Sequence, residues 1–218
     1  MNSGYAVFLV NLLQDVNVLR PLVFMAAMDL RLSVLVLVTP LFRNRDASGT
    51  WQQELEQIAA ESGAMLVYYS DELEVHALLA GKRGVMVAGS ESSLSAHKPV
   101  HELLRATSPG FLRITLQHGF ECVGFRQSRD QDLAHGKSIT FNADVICGWC
   151  APELLNSVAA TQRPKGFHSP ARNSSTPVTM KAPTAAAKPP SSAAEEASSA
   201  PPGVDQAMLI GSLVRRLR

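Results

Sequence analysis

Six short apolar runs recur along the first 150 residues, and segments with helical periodicity separate them. The runs are Tyr5–Leu13, Ser33–Thr39, Ala64–Tyr69, Gly84–Ala88, Phe111–Gln117 and Ala143–Cys147. They lack the polar–apolar alternation of a strand with one solvent-facing side, and continuous runs are typical of parallel strands buried on both faces. The pattern therefore predicts an α/β fold, in which an open, mostly parallel sheet of about six strands carries helices on both faces.

The segments between the runs carry signals for the start and end of helices. Asp15 is a suitable N-cap, Ser70 precedes early acidic residues that complement a helix dipole, and Gly63 can close a helix in the left-handed conformation. The predicted helices are Val16–Leu30, a segment from Ser48 or Thr50 to Glu61, Asp71–Ala80, Lys98–Ala106 and Pro152–Ala160. Residues 41–49 and 118–137 are predicted as polar loops.

Composition divides the chain near residue 164. Residues 1–164 carry 13 basic and 16 acidic side chains, whereas residues 165–218 carry 7 and 3, so an acidic body precedes a basic end. Eight of the 13 prolines lie between Pro164 and Pro202, and a segment so poor in apolar side chains cannot offset its ordering entropy. We predict an α/β domain over 1–163, a Pro/Ala/Ser-rich disordered linker or tail over 164–206, and a short basic amphipathic terminus over 207–218.

Cysteine content and hydropathy exclude several classes of protein. The three cysteines are too few for a disulfide framework, and Cys147-Gly-Trp-Cys150 is a lone pair without the further ligands of a zinc site. No basic segment precedes the first apolar run, and the longest largely apolar stretch, the eleven residues of Leu32–Phe42, is short of the roughly 20 that span a bilayer. We therefore expect a cytoplasmic protein without a metal or a nucleic-acid partner, and at most peripheral membrane contact.

The sequence lacks the common phosphate-binding and nucleophile motifs. The link after the first run, Asn11-Leu-Leu-Gln-Asp15, has no glycine that would let a pyrophosphate approach the backbone, and no G-x-x-x-x-G-K-[ST] or G-x-S-x-G occurs. These absences disfavour a dinucleotide-dependent dehydrogenase, a P-loop NTPase and a typical α/β-hydrolase. An FMN-binding flavodoxin-like domain is also disfavoured, because the same link lacks a Ser/Thr-rich phosphate grip.

Candidate site residues follow the predicted strands, because ligands of open α/β sheets bind at the carboxyl ends of the strands. Ser90, Glu91 and Ser92 follow the fourth run and could bind an anion or sugar hydroxyls, although an ordinary polar turn is the alternative. The strongest signal is His118, which with Gln117, Gly119 and Glu121 follows the fifth run. Its imidazole could accept a proton from a hydroxyl, with Glu121 assisting; the alternative is a surface histidine bonded to a loop carbonyl. Arg126 and Arg129 give the next loop a basic content that suits a phosphate.

A buried strand followed directly by His-Gly, late in a parallel-sheet domain, resembles the GT-B class of bacterial glycosyltransferases. The match is Gln117-His118-Gly119, followed by a loop and a strand containing Asp144, and it resembles most the surface-polysaccharide and CDP-glycerol glycerophosphotransferase-like enzymes. The resemblance implies that residues 5–160 form the N-terminal Rossmann-like domain and that His118 activates the acceptor as a general base. It implies a nucleotide-sugar or CDP-glycerol-type donor as substrate, and no cofactor.

The resemblance also implies a second Rossmann-like domain that binds the donor, and residues 165–218 do not have its composition. We therefore expect a truncated glycosyltransferase-like chain that is inactive unless a donor-binding half is supplied, and whose last 54 residues are a genuine tail or an out-of-frame ending. A partner chain could supply the missing half. The alternative hypothesis is a non-catalytic α/β module that binds a sugar or nucleotide, or docks onto a partner.

Overall fold

The strands of the computed structural model form one open sheet in which every pairing is parallel. The model describes residues 4–119 and 123–167. The strands are β1 (Tyr5–Val10), β2 (Ser33–Val38), β3 (Met65–Tyr68), β4 (Gly84–Ala88), β5 (Phe111–Leu116), β6 (Val145–Cys147) and β7 (Gly166–Phe167), in the spatial order β3-β2-β1-β4-β5-β6-β7. The predicted Rossmann-like α/β sheet is confirmed, with a two-residue β7 added at its edge. Residues 168–218, which hold most of the predicted tail and all of the basic terminus, lie outside the described residues.

The helices are α1 (Leu13–Phe24), α2 (Pro40–Arg45), α3 (Thr50–Ser62), α4 (Glu72–Leu79), α5 (Lys98–Ala106) and α6 (Arg129–His135). A π-helical turn, Met25–Asp29, extends α1. The prediction for α5 is confirmed, whereas α2 and α6 replace parts of predicted loops because Thr39 and Ser128 cap their first turns. The predicted helix Pro152–Ala160 is wrong, since two 3-10 turns, Pro152–Leu154 and Ala160–Lys165, occupy this region. None of these helices, within the part of the chain described, is long and apolar enough to cross a membrane.

The core confirms that the strands are buried on both faces. In β1, Phe8 and Val10 pack with α1 and α3 on one face, while Val7 and Leu9 pack with α4 and α5 on the other. A third cluster beside β6 joins the chain after β5 to the 3-10 turns, and it contains Phe125, Ile139, Phe141, Ile146, Leu155 and Val158. This cluster packs the segment after residue 123 against the sheet, although its sequence is mostly polar.

The strand order reverses between β1 and β4. From β1 the chain runs outward to β2 and β3, and it then returns to place β4 on the other side of β1. At such a switch point the loops after the two strands diverge, and the crevice between them is where open α/β sheets bind ligands. A ligand is therefore expected to bind between the loops after β1 and β4.

Candidate functional site

Asp15 fills the switch point between β1 and β4. Its carboxylate is fully buried, and Oδ2 accepts the backbone N–H groups of Asn11 at 2.9 Å and Leu12 at 2.8 Å. The prediction that Asp15 is the N-cap is wrong, because Leu12 occupies that position and Asp15 lies in the first turn of α1. The N–H groups that could hold a phosphate at this turn are thus already bonded to a carboxylate of the chain itself.

The other carboxylate oxygen of Asp15 joins the loop after β4. Oδ1 accepts the hydroxyl of Ser90 at 2.6 Å, and a Cβ at Gly89 would lie only 2.7 Å from the same oxygen. Glycine at position 89 therefore permits the close packing of this loop against α1. Burial raises the pKa of Asp15 to about 6, and the hydrogen bonds from Ser90 and the backbone, with the charge of Arg45, oppose the rise.

The residues predicted to cradle a ligand after β4 are buried. Ser90 is 1% exposed, and Glu91 and Ser92 are fully buried. Their side chains bond to other protein groups, so their part in the described structure is to hold neighbouring residues. Direct contact of these three residues with a substrate stays a prediction.

Three histidines lie around this loop. His97 precedes α5, and its Nδ1 is 2.7 Å from the Ser92 hydroxyl. The pKa of His97 is lowered to about 4, mainly by burial and to a lesser extent by the nearby charges of His118, Arg45 and His101. A single histidine without a spaced partner carries no signal in sequence, so tertiary packing alone brings His97 near both His118 and His101.

Glu91 and His101 form a buried pair at the start of α5. Oε1 of Glu91 lies 2.5 Å from Nδ1 of His101 and accepts the backbone N–H of Asn142 at 2.9 Å. The other oxygen, Oε2, is buried and has no hydrogen-bond partner. A buried carboxylate is stable only when other groups compensate its charge, and the imidazole is its nearest ionisable partner.

The loop after β5 is held by Gln117. Its backbone N–H bonds to the Cys147 carbonyl at 2.9 Å, while its side chain donates to the Gly119 carbonyl at 2.8 Å and accepts the Trp149 N–H at 2.9 Å. Gln117 is 1% exposed, so it ties the loops after β5 and β6 together. It thereby fixes the backbone on either side of His118.

His118 itself is half-buried at the carboxyl end of β5, as its position in the sequence predicts. Burial lowers the pKa of this imidazole, which favours the neutral form that can accept a proton. Glu121, the predicted assistant, lies outside the described residues. Gly119 is half-buried beside His118, and its role in admitting a substrate stays a prediction.

The two predicted phosphate-binding arginines lie in the segment that begins at residue 123. Arg126 is half-buried, and its charge reaches Cys150; Arg129 begins α6 and is exposed. The described contacts do not bring Arg129 to the histidines, and phosphate binding by either arginine stays a prediction.

Asp144, part of the sequence resemblance, has a structural partner. Its Oδ2 accepts the backbone N–H of Arg113 at 3.0 Å and the side-chain Nε at 2.9 Å, and Oδ1 accepts Nη2 at 2.5 Å. Partial burial acts to raise the pKa of Asp144, but the hydrogen bonds and charge of Arg113 outweigh it, and the pKa is lowered. The pair ties the chain entering β6 to β5.

The described cysteines are free thiols. Cys147 is buried, and burial raises its pKa to about 12; burial also raises the pKa of Cys150 against the opposing charge of Arg126. Such thiols stay protonated and are poor nucleophiles. Among the described residues no group of three or more potential metal-ligating side chains comes together.

One surface cavity, of about 450 Å³, lies at the opposite edge of the sheet. It opens beside the amino ends of β1, β2 and β3, and its lining is made of aliphatic residues, Tyr5, two serines, Gly63 and Met65. The lining holds no histidine, cysteine or acidic residue, so this cavity offers no imidazole or carboxylate as a general base.

The fold and the carboxyl edge define a Rossmann-like α/β domain with a histidine-containing polar site at its topological switch point. No protein-family model, no curated protein and no solved structure matches the chain.

Proposed function

We propose that this domain binds a hydroxyl-bearing acceptor at its carboxyl edge and takes part in the transfer of a sugar, or of glycerophosphate, from a nucleotide-activated donor. The observation that carries the proposal is a neutral imidazole at the end of β5: His118 is half-buried, and burial lowers its pKa. A base for hydroxyl activation must be deprotonated near neutral pH and must be reachable from the strand ends.

The reaction would proceed as a displacement. The acceptor O–H bond breaks and its proton passes to an imidazole, for which His118 is the first candidate. The acceptor oxygen forms a bond to the anomeric carbon, or to the phosphorus of a glycerophosphate donor, and the nucleotide phosphate leaves with the electron pair. General-base catalysis of this kind contributes about 10²–10⁴-fold, and positioning of the two substrates contributes much of the rest.

The filled switch point supports an acceptor domain rather than a donor domain. Asp15 occupies the N–H groups of Asn11 and Leu12, where a nucleotide phosphate would bind in a dinucleotide-binding domain. An anionic phosphate would also meet the Asp15 carboxylate itself. The donor would therefore be bound by a second domain or by a partner chain.

The same observation favours a second candidate, a non-catalytic module. If no partner supplies a donor site, the domain can still bind a sugar or dock onto another protein through its carboxyl edge. Calorimetric titration with UDP-glucose, CDP-glycerol and methyl glucoside would separate the candidates, because a module would bind one of these compounds without turning it over.

Transfer and donor hydrolysis are the direct test, with UDP-glucose or CDP-glycerol as donor and glycerol or methyl glucoside as acceptor. We expect His118→Ala to lower kcat/KM by about 100-fold or more. The control is His135→Ala, which removes an exposed imidazole of α6 that faces away from the core. Equal rates for the two variants would contradict the proposal.

A further inference from the structure

The Glu91–His101 pair has the arrangement of a carboxylate that orients a catalytic imidazole. The side chain of Glu91 is fully buried, whereas that of His101 is 15% exposed. The carboxylate therefore lies behind the imidazole, and the imidazole lies between the carboxylate and the surface.

Hydrogen bonding assigns the proton between the two residues. Oε1 of Glu91 already accepts the N–H of Asn142, and an ionised carboxylate can only accept hydrogen bonds. The 2.5 Å contact is therefore donated by Nδ1–H of His101. In a neutral imidazole that tautomer leaves a lone pair on Nε2.

Nε2 of His101 is the reactive end of the pair. It makes no hydrogen bond to the described residues, and it is not one of the buried side-chain atoms without a partner. An unbonded ring nitrogen that is not buried meets solvent. A hydroxyl group arriving at the carboxyl edge could therefore reach it.

The Glu91 carboxylate compensates a positive charge on the His101 ring. Oε1 of Glu91 and Nδ1 of His101 lie 2.5 Å apart, and such a contact stabilises an imidazolium once it forms. Burial disfavours a charged ring at His97 and at His118, and lowers the pKa of each.

We propose that His101 is a further catalytic residue of the carboxyl-edge site and that Glu91 is its positioning residue. Nε2 of His101 takes up the proton released when the acceptor oxygen bonds to the donor, and Glu91 stabilises the resulting imidazolium. His118, the first candidate for the base in the proposed function, is on this assignment a neutral hydrogen-bond partner of the acceptor hydroxyl instead. This inference rests on the transfer reaction proposed above.

The kinetic test compares His101→Ala, Glu91→Gln and His118→Ala in the full chain, with the donors and acceptors named above and His135→Ala as control. We expect His101→Ala to lower kcat by about 100-fold or more with little change in KM, and added imidazole to restore part of the rate. Glu91→Gln keeps the size of the side chain but not its charge, so kcat should fall by about tenfold or more.

A second measurement needs no turnover. The ¹⁵N chemical shifts of the His101 ring distinguish Nδ1–H from Nε2–H, and we expect Nδ1–H in the wild type and a mixture of tautomers in Glu91→Gln. An amide can donate a hydrogen bond to Nδ1 as well as accept one, so it does not hold a single tautomer.

The outcomes separate the two proposals. Normal kcat in His101→Ala together with a large loss in His118→Ala would overturn the role of His101 and leave the transfer reaction in place. An Nε2–H tautomer in the wild type would overturn the orienting role of Glu91. If the wild type transfers nothing from either donor, the proposed function fails, and the tautomer alone decides whether Glu91 orients His101.

Discussion

Replacement of Asp15 by asparagine tests the electrostatics of the switch point. An asparagine has the same shape, and its oxygen can accept the two backbone N–H groups that Oδ2 now accepts. Its NH₂ group would then face the Ser90 hydroxyl, which can accept as well as donate. The substitution therefore removes a buried charge and leaves each hydrogen-bonding group with a partner.

The magnitude follows from the shifted pKa. Burial raises the pKa of Asp15 from its ordinary value of 3.8 to about 6. Because the folded state holds the proton more tightly than the unfolded state, the free energy of unfolding of the wild type falls as pH rises from about 4 to 6 and is then constant. At about 1.4 kcal/mol per pKa unit, the loss is about 3 kcal/mol. Asp15→Asn has no such titration.

The assay is urea denaturation of both proteins at several pH values between 3.5 and 8. The quantity of interest is the difference in the free energy of unfolding, Asp15→Asn minus wild type, because titrations of other groups cancel in it. We expect this difference to grow by about 3 kcal/mol in favour of the variant between the two ends. A difference that is constant with pH would refute the argument that Asp15 is a buried, weakly compensated carboxylate.

Three further stability predictions concern neighbouring residues. Gly89→Ala would bring a methyl group against Asp15 and should lower the free energy of unfolding by about 1–3 kcal/mol, measured by thermal denaturation. The control is Gly4→Ala, whose added atom meets only a side chain at 3.8 Å and which should differ little from wild type. Because the pKa of His97 is lowered to about 4 in the folded state, the free energy of unfolding should fall by about 3 kcal/mol as pH falls from 6.5 to 4. A His97→Gln variant that loses the same free energy of unfolding over this pH range would count against this. The ionised Asp144 carboxylate stabilises the fold above pH 4, and this stabilisation is lost in acid because the pKa of Asp144 is lowered in the folded state. Asp144→Asn should therefore unfold at a lower urea concentration than wild type at pH 7 and at nearly the same concentration at pH 2.5. An equal difference in urea midpoint at both pH values would argue against an ionic pair with Arg113.

Local sequence was sufficient for the elements with strong periodicity. The continuous apolar runs of β1 and β2 predicted buried parallel strands, and the helix α5 was predicted at its observed bounds. The short helix α6 was missed although its cap at Ser128 is a local signal, and the 3-10 turns near Pro152 were missed because Leu155 and Val158 beside them pack into the cluster with Phe125 and Phe141.

The sequence by itself determined that the chain forms a doubly covered parallel sheet and that His118 stands at a strand end, because both follow from the order of residues along one segment. Only the tertiary structure decided that Asp15 bonds to Ser90 in the loop after β4 and that Glu91 lies against His101. Both contacts join residues on separate segments, and their strength comes from burial. Burial is a property of the whole packed sheet, so no local pattern of residues carries it.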